Sequence, residues 1–188
     1  MDIYIDEIKK QHFDIQKAVK FISDKFLETD GTQKKLHTEK PVVMHSLRTG
    51  LVLFEFCYEK DLVIAGLLHD VMEDAEVEFE EIKDRFGERV AKIVQAVSVN
   101  RSITYGAARH KDLHEREIAL GKDAIIVAIA DHLENIPFLK YAKDRKEYET
   151  VKSRWLVFFN EVAVHVKNEP IYNEYKKQME NLPELAEK

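Results

Sequence analysis

Apolar residues in this chain recur at steps of three and four, the period of a helix with one buried face. Ile15, Val19, Ile22 and Phe26 mark the first such stripe, and Asp30-Gly31 supplies its stop. A polar, basic segment from Thr32 to Lys40 reads as a loop, after which Pro41 opens a second helix to about Phe56. Proline in a first turn removes only a donor that would lack a partner anyway. Asp61 is placed to cap a third helix, Leu62 to about Glu73, nearly all apolar until His69-Asp70. Glu78 to Phe86 follows, closed by Gly87, with Glu88 to Val97 as its bent continuation. Ser98 to Gly106 reads as a loop, and Ala107 to Leu120 as a highly charged helix ended by Gly121. Asp123 caps the segment IIVAIADHLENI, which Pro137 stops. One further helix carries Val151, Trp155, Phe158, Phe159 and Val162, and the last begins at Pro170. No segment alternates with clean period two, so the pattern predicts an all-α, compact helical bundle without strands.

Composition narrows the class. Six Gly and four Pro in 188 residues suit long helices better than many short strands. The length fits a single domain over residues 1–188, with enough chain for a proper core. Cys57 stands alone, which excludes an intrachain disulfide and a Cys-rich zinc site and points to a reducing, cytoplasmic compartment. A net charge of −6 gives no whole-chain footprint for nucleic acid. The opening MDIYIDEIKK lacks the basic-then-apolar order of a signal peptide, and the apolar run Ala124 to Ala130 is far too short to span a membrane. The expectation is a soluble protein with neither a nucleic-acid nor a membrane partner.

Candidate chemistry gathers at three places. LVIAGLLHDVMEDAE runs from apolar residues straight into His69, Asp70, Glu73 and Asp74. Residues three and four apart share a helical face, so His69 sits above Glu73, and Asp70 above Glu73 and Asp74. Carboxylates at a helix C-terminus oppose the macrodipole, a conflict that either solvent or a bound cation relieves. His45 lies one turn into its helix among apolar neighbours, where a histidine is as readily a core residue as a ligand. Asp131 falls in the middle of an apolar helix with no Lys or Arg within a turn; an unpaired charge there is costly, so it needs donors, a cation or a metal. Together these residues offer two imidazoles and two carboxylates, a mixed N/O set suited to Mn, Fe or a similar divalent ion.

The order His45 … His69-Asp70 … Asp131 resembles the H…HD…D signature of HD-domain phosphohydrolases. The string LLHDVMED resembles, more narrowly, the hydrolase domain of the RelA/SpoT type and single-domain alarmone hydrolases. KPVVMHS is similar to that group's GEPYxxHP segment, and EEIKDRFGERVAKIV to its stretch after the Glu-Asp pair. GKDAIIVAIADHLENI is similar to its KLADRLHNM helix, so the resemblance covers most of residues 12 to 142. It implies an all-α fold and one divalent ion, usually Mn2+, held by His45, His69, Asp70 and Asp131. It implies hydrolysis of a phosphate ester or anhydride in a nucleotide-like substrate, with guanosine 3′,5′-bis(diphosphate) first among candidates. The ion would clamp a phosphate oxygen and lower the pKa of a water, which Glu73 and Asp74 would orient or deprotonate. Asn135, one turn beyond Asp131, would face the substrate, while Lys35, Thr38 and Arg48 would meet its phosphates. Another nucleotide phosphate, or nucleotide binding without turnover, stands as the alternative.

Departures from the family pattern cluster around the nucleotide. Its base-contacting Arg-Lys pair falls on Leu36 and His37, with Lys34 and Lys35 just upstream. Its Gly and Tyr in GEPY fall on Glu39 and Val42, and QAVSVN replaces the usual GVTKL. The Arg after the metal-binding Asp is His132, and LHN becomes Leu133-Glu134-Asn135. Synthetase motifs are not recognisable. His110 and His114, four apart in RHKDLHERE, form a competing ligand pair, but charge on all sides reads as a solvated face. His12, His37 and His165 read the same way. Trp155, Phe158, Phe159 and Val162 read as core rather than a cofactor box.

Overall fold

The computed structural model describes the backbone of residues 2–29, 32–35, 38–104 and 106–186, and among these the side chains of all but 2–9, 32–35 and 38–40. Among the described residues, ten α-helices run in chain order: α1 (Asp2–Leu27), α2 (Val42–Glu55), α3 (Lys60–Leu68), α4 (Val71–Asp74), α5 (Phe79–Phe86), α6 (Glu88–Val97), α7 (Ala107–Leu120), α8 (Lys122–Asn135), α9 (Arg145–Val166) and α10 (Pro170–Glu180). The all-α bundle expected from periodicity is what forms.

The segment read as a loop between α1 and α2 instead forms a two-stranded antiparallel hairpin, β1 (Thr32–Lys35) and β2 (Thr38–Pro41), with Lys35 opposite Thr38. Its strands are polar on both faces, so the period-two signal that marks a half-buried strand is absent from them. Asp30-Gly31, the expected stop, lies outside the described residues. Pro41 sits just before α2 rather than in its first turn, and α3 and α8 start ahead of Asp61 and Asp123, which fall in their first turns. Acidic residues there still favour the positive end of the helix. Pro137 does not end the chain's helical path: a 3-10 helix, Ile136–Tyr141, takes over from α8.

α8 is the centre of the bundle. Ala124 to Ala130 are all buried, and the helix packs against α2, α3, α6, α7, α9 and α10. An apolar surface all round is the sequence mark of such a buried helix. α2 and α3 approach closely because two glycines interlock. A Cβ on Gly50 would come within 2.5 Å of the Leu67 side chain, and one on Gly66 would collide with Leu53. This contact brings His45 on α2 alongside the end of α3.

The third helix does not run on to Glu73. It stops at Leu68, His69 and Asp70 form a turn, and α4 restarts at Val71. At the break His69 Nδ1–H donates back into α3, to Gly66 O at 2.7 Å, and from the end of α6 the Ser98 hydroxyl lies 3.1 Å from His69 O. Tertiary partners thus divide a segment whose local preference is continuous helix.

Candidate active site

His45 is fully buried on α2, His69 and Asp70 occupy the break after α3, and Asp131 lies on α8 with its side chain 23% exposed. The four converge. His45 Nε2 is 3.0 Å from His69 Nε2, 3.0 Å from Asp131 Oδ1 and 3.3 Å from Asp70 Oδ2. His69 Nε2 is 3.3 Å from Asp70 Oδ2 and 3.5 Å from Asp131 Oδ1. Donors bound to a metal at about 2.1 Å stand roughly 3.0 Å apart at right angles and roughly 3.4 Å apart at tetrahedral angles. The observed separations are those of a coordination shell.

The ring tautomers agree. His45 Nδ1–H donates to Glu134 Oε2 at 2.5 Å, and His69 Nδ1–H to Gly66 O. Each Nε2 therefore turns its lone pair toward the common point, the arrangement second-shell acceptors impose on metal-ligating histidines. Burial alone would lower the pKa of His45, but hydrogen bonds with Asp131, Asp70 and Glu134 outweigh it and raise it to about 9. Burial likewise opposes charge on His69, and Asp70 and Asp131 override it to push its pKa well up. His45, His69 and Asp131 present one ligand atom each within 4.8 Å of one another, a group that could hold a metal ion.

Asp131 is half-buried rather than enclosed, because it opens on a cavity of about 390 Å³, within the size range of small-molecule sites. Asn135 Nδ2 donates to Asp131 Oδ1 at 2.7 Å and to its carbonyl at 3.0 Å, so this amide holds the carboxylate as well as lining the cavity. Glu73 also lines the cavity, and its Oε1 accepts from Val99 N–H at 2.7 Å. Its neighbour Asp74 does not line it; the side chain lies 3.9 Å from Arg101. The structure thus separates the pair in the order the sequence favoured, Glu73 ahead of Asp74.

Arg48 is not brought to the cavity either. Its side chain is 59% exposed, 3.9 Å from Glu134 Oε1 and over the Phe138 ring. Lys35 and Thr38 face each other across the hairpin register, but their side chains lie outside the described ones, as do Lys34 and Glu39. Leu36 and His37 lie outside the described residues altogether.

The outer cavity wall corrects one reading. His110 and His114 are half-buried on the cavity side of α7 rather than solvated. They are not a ligand pair among the described residues: His110 Nε2 accepts from Arg154, and the His114 ring packs 5.1 Å from Phe158. His12 and His165 are exposed, as expected. Glu117 escaped notice in a helix charged all round, yet it is buried to 4% and lines the cavity. Burial, then Asp131, raises its pKa well above the carboxylate range, with Arg116 opposing. Trp155 and Phe158 are core residues, but Trp155 also edges the cavity, and Phe159 is only half-buried. Glu134 is the second partner missed; its spacing from Asp131, one helical turn, was the available signal.

An all-α bundle with a His/His/Asp/Asp cluster beside a small-molecule-sized cavity defines a class of helical proteins suited to a divalent ion. Residues 22–163 match the HD domain family, and the chain belongs to it. A guanosine-3′,5′-bis(diphosphate) 3′-pyrophosphohydrolase of Aquifex aeolicus is 33% identical over 147 residues, 77% of this chain and 20% of that protein. A GTP pyrophosphokinase of Streptomyces coelicolor is 29% identical over 61% of this chain and 14% of its own length. The chain therefore spans about a fifth or less of these relatives. Among solved structures, a metazoan SpoT ortholog described as hydrolysing ppGpp superimposes with a TM-score of 0.73 at 22% identity, covering 88% of this chain and 94% of that one. A Listeria monocytogenes protein superimposes with a TM-score of 0.63 at 23% identity, over 76% and 98%. At these identities the two structures speak for the fold. Among the described residues, no helix is long and apolar enough to cross a membrane.

Proposed function

We propose that this protein is a metal-dependent phosphohydrolase that removes pyrophosphate from guanosine 3′,5′-bis(diphosphate), with Mn2+ as its ion. The observation that carries the reading is the convergence of two Nε2 atoms and two carboxylate oxygens at 3.0–3.5 Å, at the base of a cavity that Glu73 also lines. His45, His69, Asp70 and Asp131 would hold the ion. When bound, a divalent ion polarises a phosphoryl oxygen and lowers the pKa of water.

The chain's own residues do the rest. Glu134 and Gly66 O keep the imidazoles in the ligating tautomer, and Asn135 keeps Asp131 turned inward. Glu73 takes the proton of the attacking water as the water oxygen bonds to phosphorus and the ester oxygen leaves. Asp74 stands behind Glu73, off the cavity. Arg154, His110 and Trp155, on the outer wall, contact the nucleotide away from the scissile bond. Arg48, off the cavity wall, would meet phosphates that extend beyond it, together with Lys35 and Thr38. A nucleotide substrate fits a cytoplasmic location and needs neither nucleic acid nor membrane as partner.

The test is Mn2+-supported release of pyrophosphate from guanosine tetraphosphate, set against nucleoside mono-, di- and triphosphates. Pyrophosphate from the alarmone at the highest kcat/KM is expected. Faster cleavage of a simple nucleotide, with none from the alarmone, would overturn the substrate and leave the phosphohydrolase. No turnover of any of them with metal bound would overturn both.

A further inference from the structure

One side chain of α7 spans the end of α6. Arg116 Nη1 donates to Gln95 O at 2.7 Å and Ala96 O at 3.0 Å, Nη2 to Ser98 O at 2.7 Å, and Nε to Asp112 Oδ2 at 2.9 Å. Four of the five guanidinium N–H donors are thereby engaged. Gln95 and Ala96 carry carbonyls that the helix leaves unpaired at its negative end, where a fixed cation is favourable.

The Ser98 carbonyl belongs to the same peptide group as the Val99 N–H. That N–H donates to Glu73 Oε1 at 2.7 Å. A peptide group is planar and rigid, so gripping its oxygen orients its N–H. The cationic donor also polarises the carbonyl and strengthens the bond on the other side. A continuous path therefore runs from Asp112 through Arg116 and the Ser98–Val99 peptide to Glu73, a carboxylate on the cavity wall.

We propose that Arg116 is a positioning residue that aims Glu73 at the reacting water through the Ser98–Val99 peptide, with Asp112 holding Arg116 in place. The proposal rests on the reading of Glu73 as the group that takes the proton. Arg116 touches neither the cavity nor the metal ligands, so its effect falls on the chemical step rather than on binding. Arg116→Lys keeps the charge but loses the fork that spans three carbonyls, and restores only part of the function.

The experiment measures kcat, KM and metal content for Arg116→Ala, Arg116→Lys and Asp112→Asn, each with Glu73 and with Glu73→Gln. Val99 amide exchange is followed in parallel in the metal-loaded protein. Arg116→Ala is expected to lower kcat about tenfold to a hundredfold, the usual cost of misplacing a catalytic group. KM and metal content should hold, with partial rescue by Lys. In the Glu73→Gln background the same substitution should cost less than about threefold, because coupled residues are non-additive. Val99 exchange should accelerate in Arg116→Ala. Equal losses in both backgrounds, or unchanged Val99 exchange, would overturn the positioning role. Wild-type turnover by Glu73→Gln would instead sink the Glu73 assignment itself. If Arg116→Ala fails to fold, Asp112→Asn, which keeps the guanidinium, answers both questions with the same expected directions.

Discussion

At the inner end of the cavity each candidate ligand is held from behind: His45 by Glu134, His69 by the Gly66 carbonyl, Asp131 by Asn135. At the outer end the side chains hold one another across helices, His110 with Arg154 between α7 and α9. The inner atoms have one permitted orientation, set by backbone and buried carboxylates. The outer ones depend on how α7 and α9 sit against each other. Under the proposed function, a cavity so divided would keep the chemistry at one end and select the substrate at the other. Among the departures from the RelA/SpoT pattern, His132 bonds Tyr175, while Glu134 stands directly behind His45.

The comparison breaks most simply through the metal. His69→Ala and Asp131→Ala are each expected to lose the ion and all measurable turnover, whereas His110→Ala and His114→Ala keep a full equivalent by elemental analysis. Metal retained in the first two would move the centre to α7. Next in size is Glu73→Gln, for which kcat should fall about a hundredfold to ten-thousandfold with metal content unchanged, the scale of lost acid–base help. Asp74→Asn, off the cavity wall, should cost far less; the reverse ranking would reassign the pair.

Glu134→Ala removes the acceptor behind His45 and should weaken Mn2+ about tenfold to a hundredfold, the scale of second-shell losses, measured by titration against a chelator. Unchanged affinity would show that the inner end is not held as described. On the outer wall, Arg154→Ala should raise KM about tenfold while leaving kcat and metal alone, since it contributes binding away from the scissile bond. Trp155, the single tryptophan, reports the same event: nucleotide should quench its fluorescence in wild type. A fall in kcat at constant KM would place Arg154 with the inner group.

The smallest effect is one of pH. In the metal-free protein His45 titrates near 9 when folded, above its ordinary value of 6.5. Its protonated form is favoured by folding, so its stabilisation is full below about pH 6.5 and is lost as pH rises through about 9. The melting temperature of the metal-free protein should fall by several degrees across that window. With Mn2+ bound the imidazole stays neutral, and the fall should disappear. A flat metal-free profile would mean that the carboxylates do not hold a proton on the histidines.

Helices, their order and the four converging residues were legible because each left a local mark. Asp131 stood in an apolar helix, His69-Asp70 closed one, and α8 was apolar all round. Glu117, Trp155 and Arg154 left no comparable mark, since a charged helix or an aromatic stripe looks the same whether it faces solvent, core or cavity. Periodicity and capping act within a turn or two of one helix, so sequence could name the candidates. The hairpin before α2, the break at His69, and the parting of Glu73 from Asp74 came from contacts between distant segments. Ser98 reaches the His69 carbonyl, Val99 takes Glu73, and Gly50 and Gly66 let α2 and α3 close on each other. Chemistry of residue types named the donor set, and only the packing of helix faces, a long-range choice that no local window encodes, brought the two imidazoles within 3.0 Å of each other and each within 3.5 Å of both carboxylates.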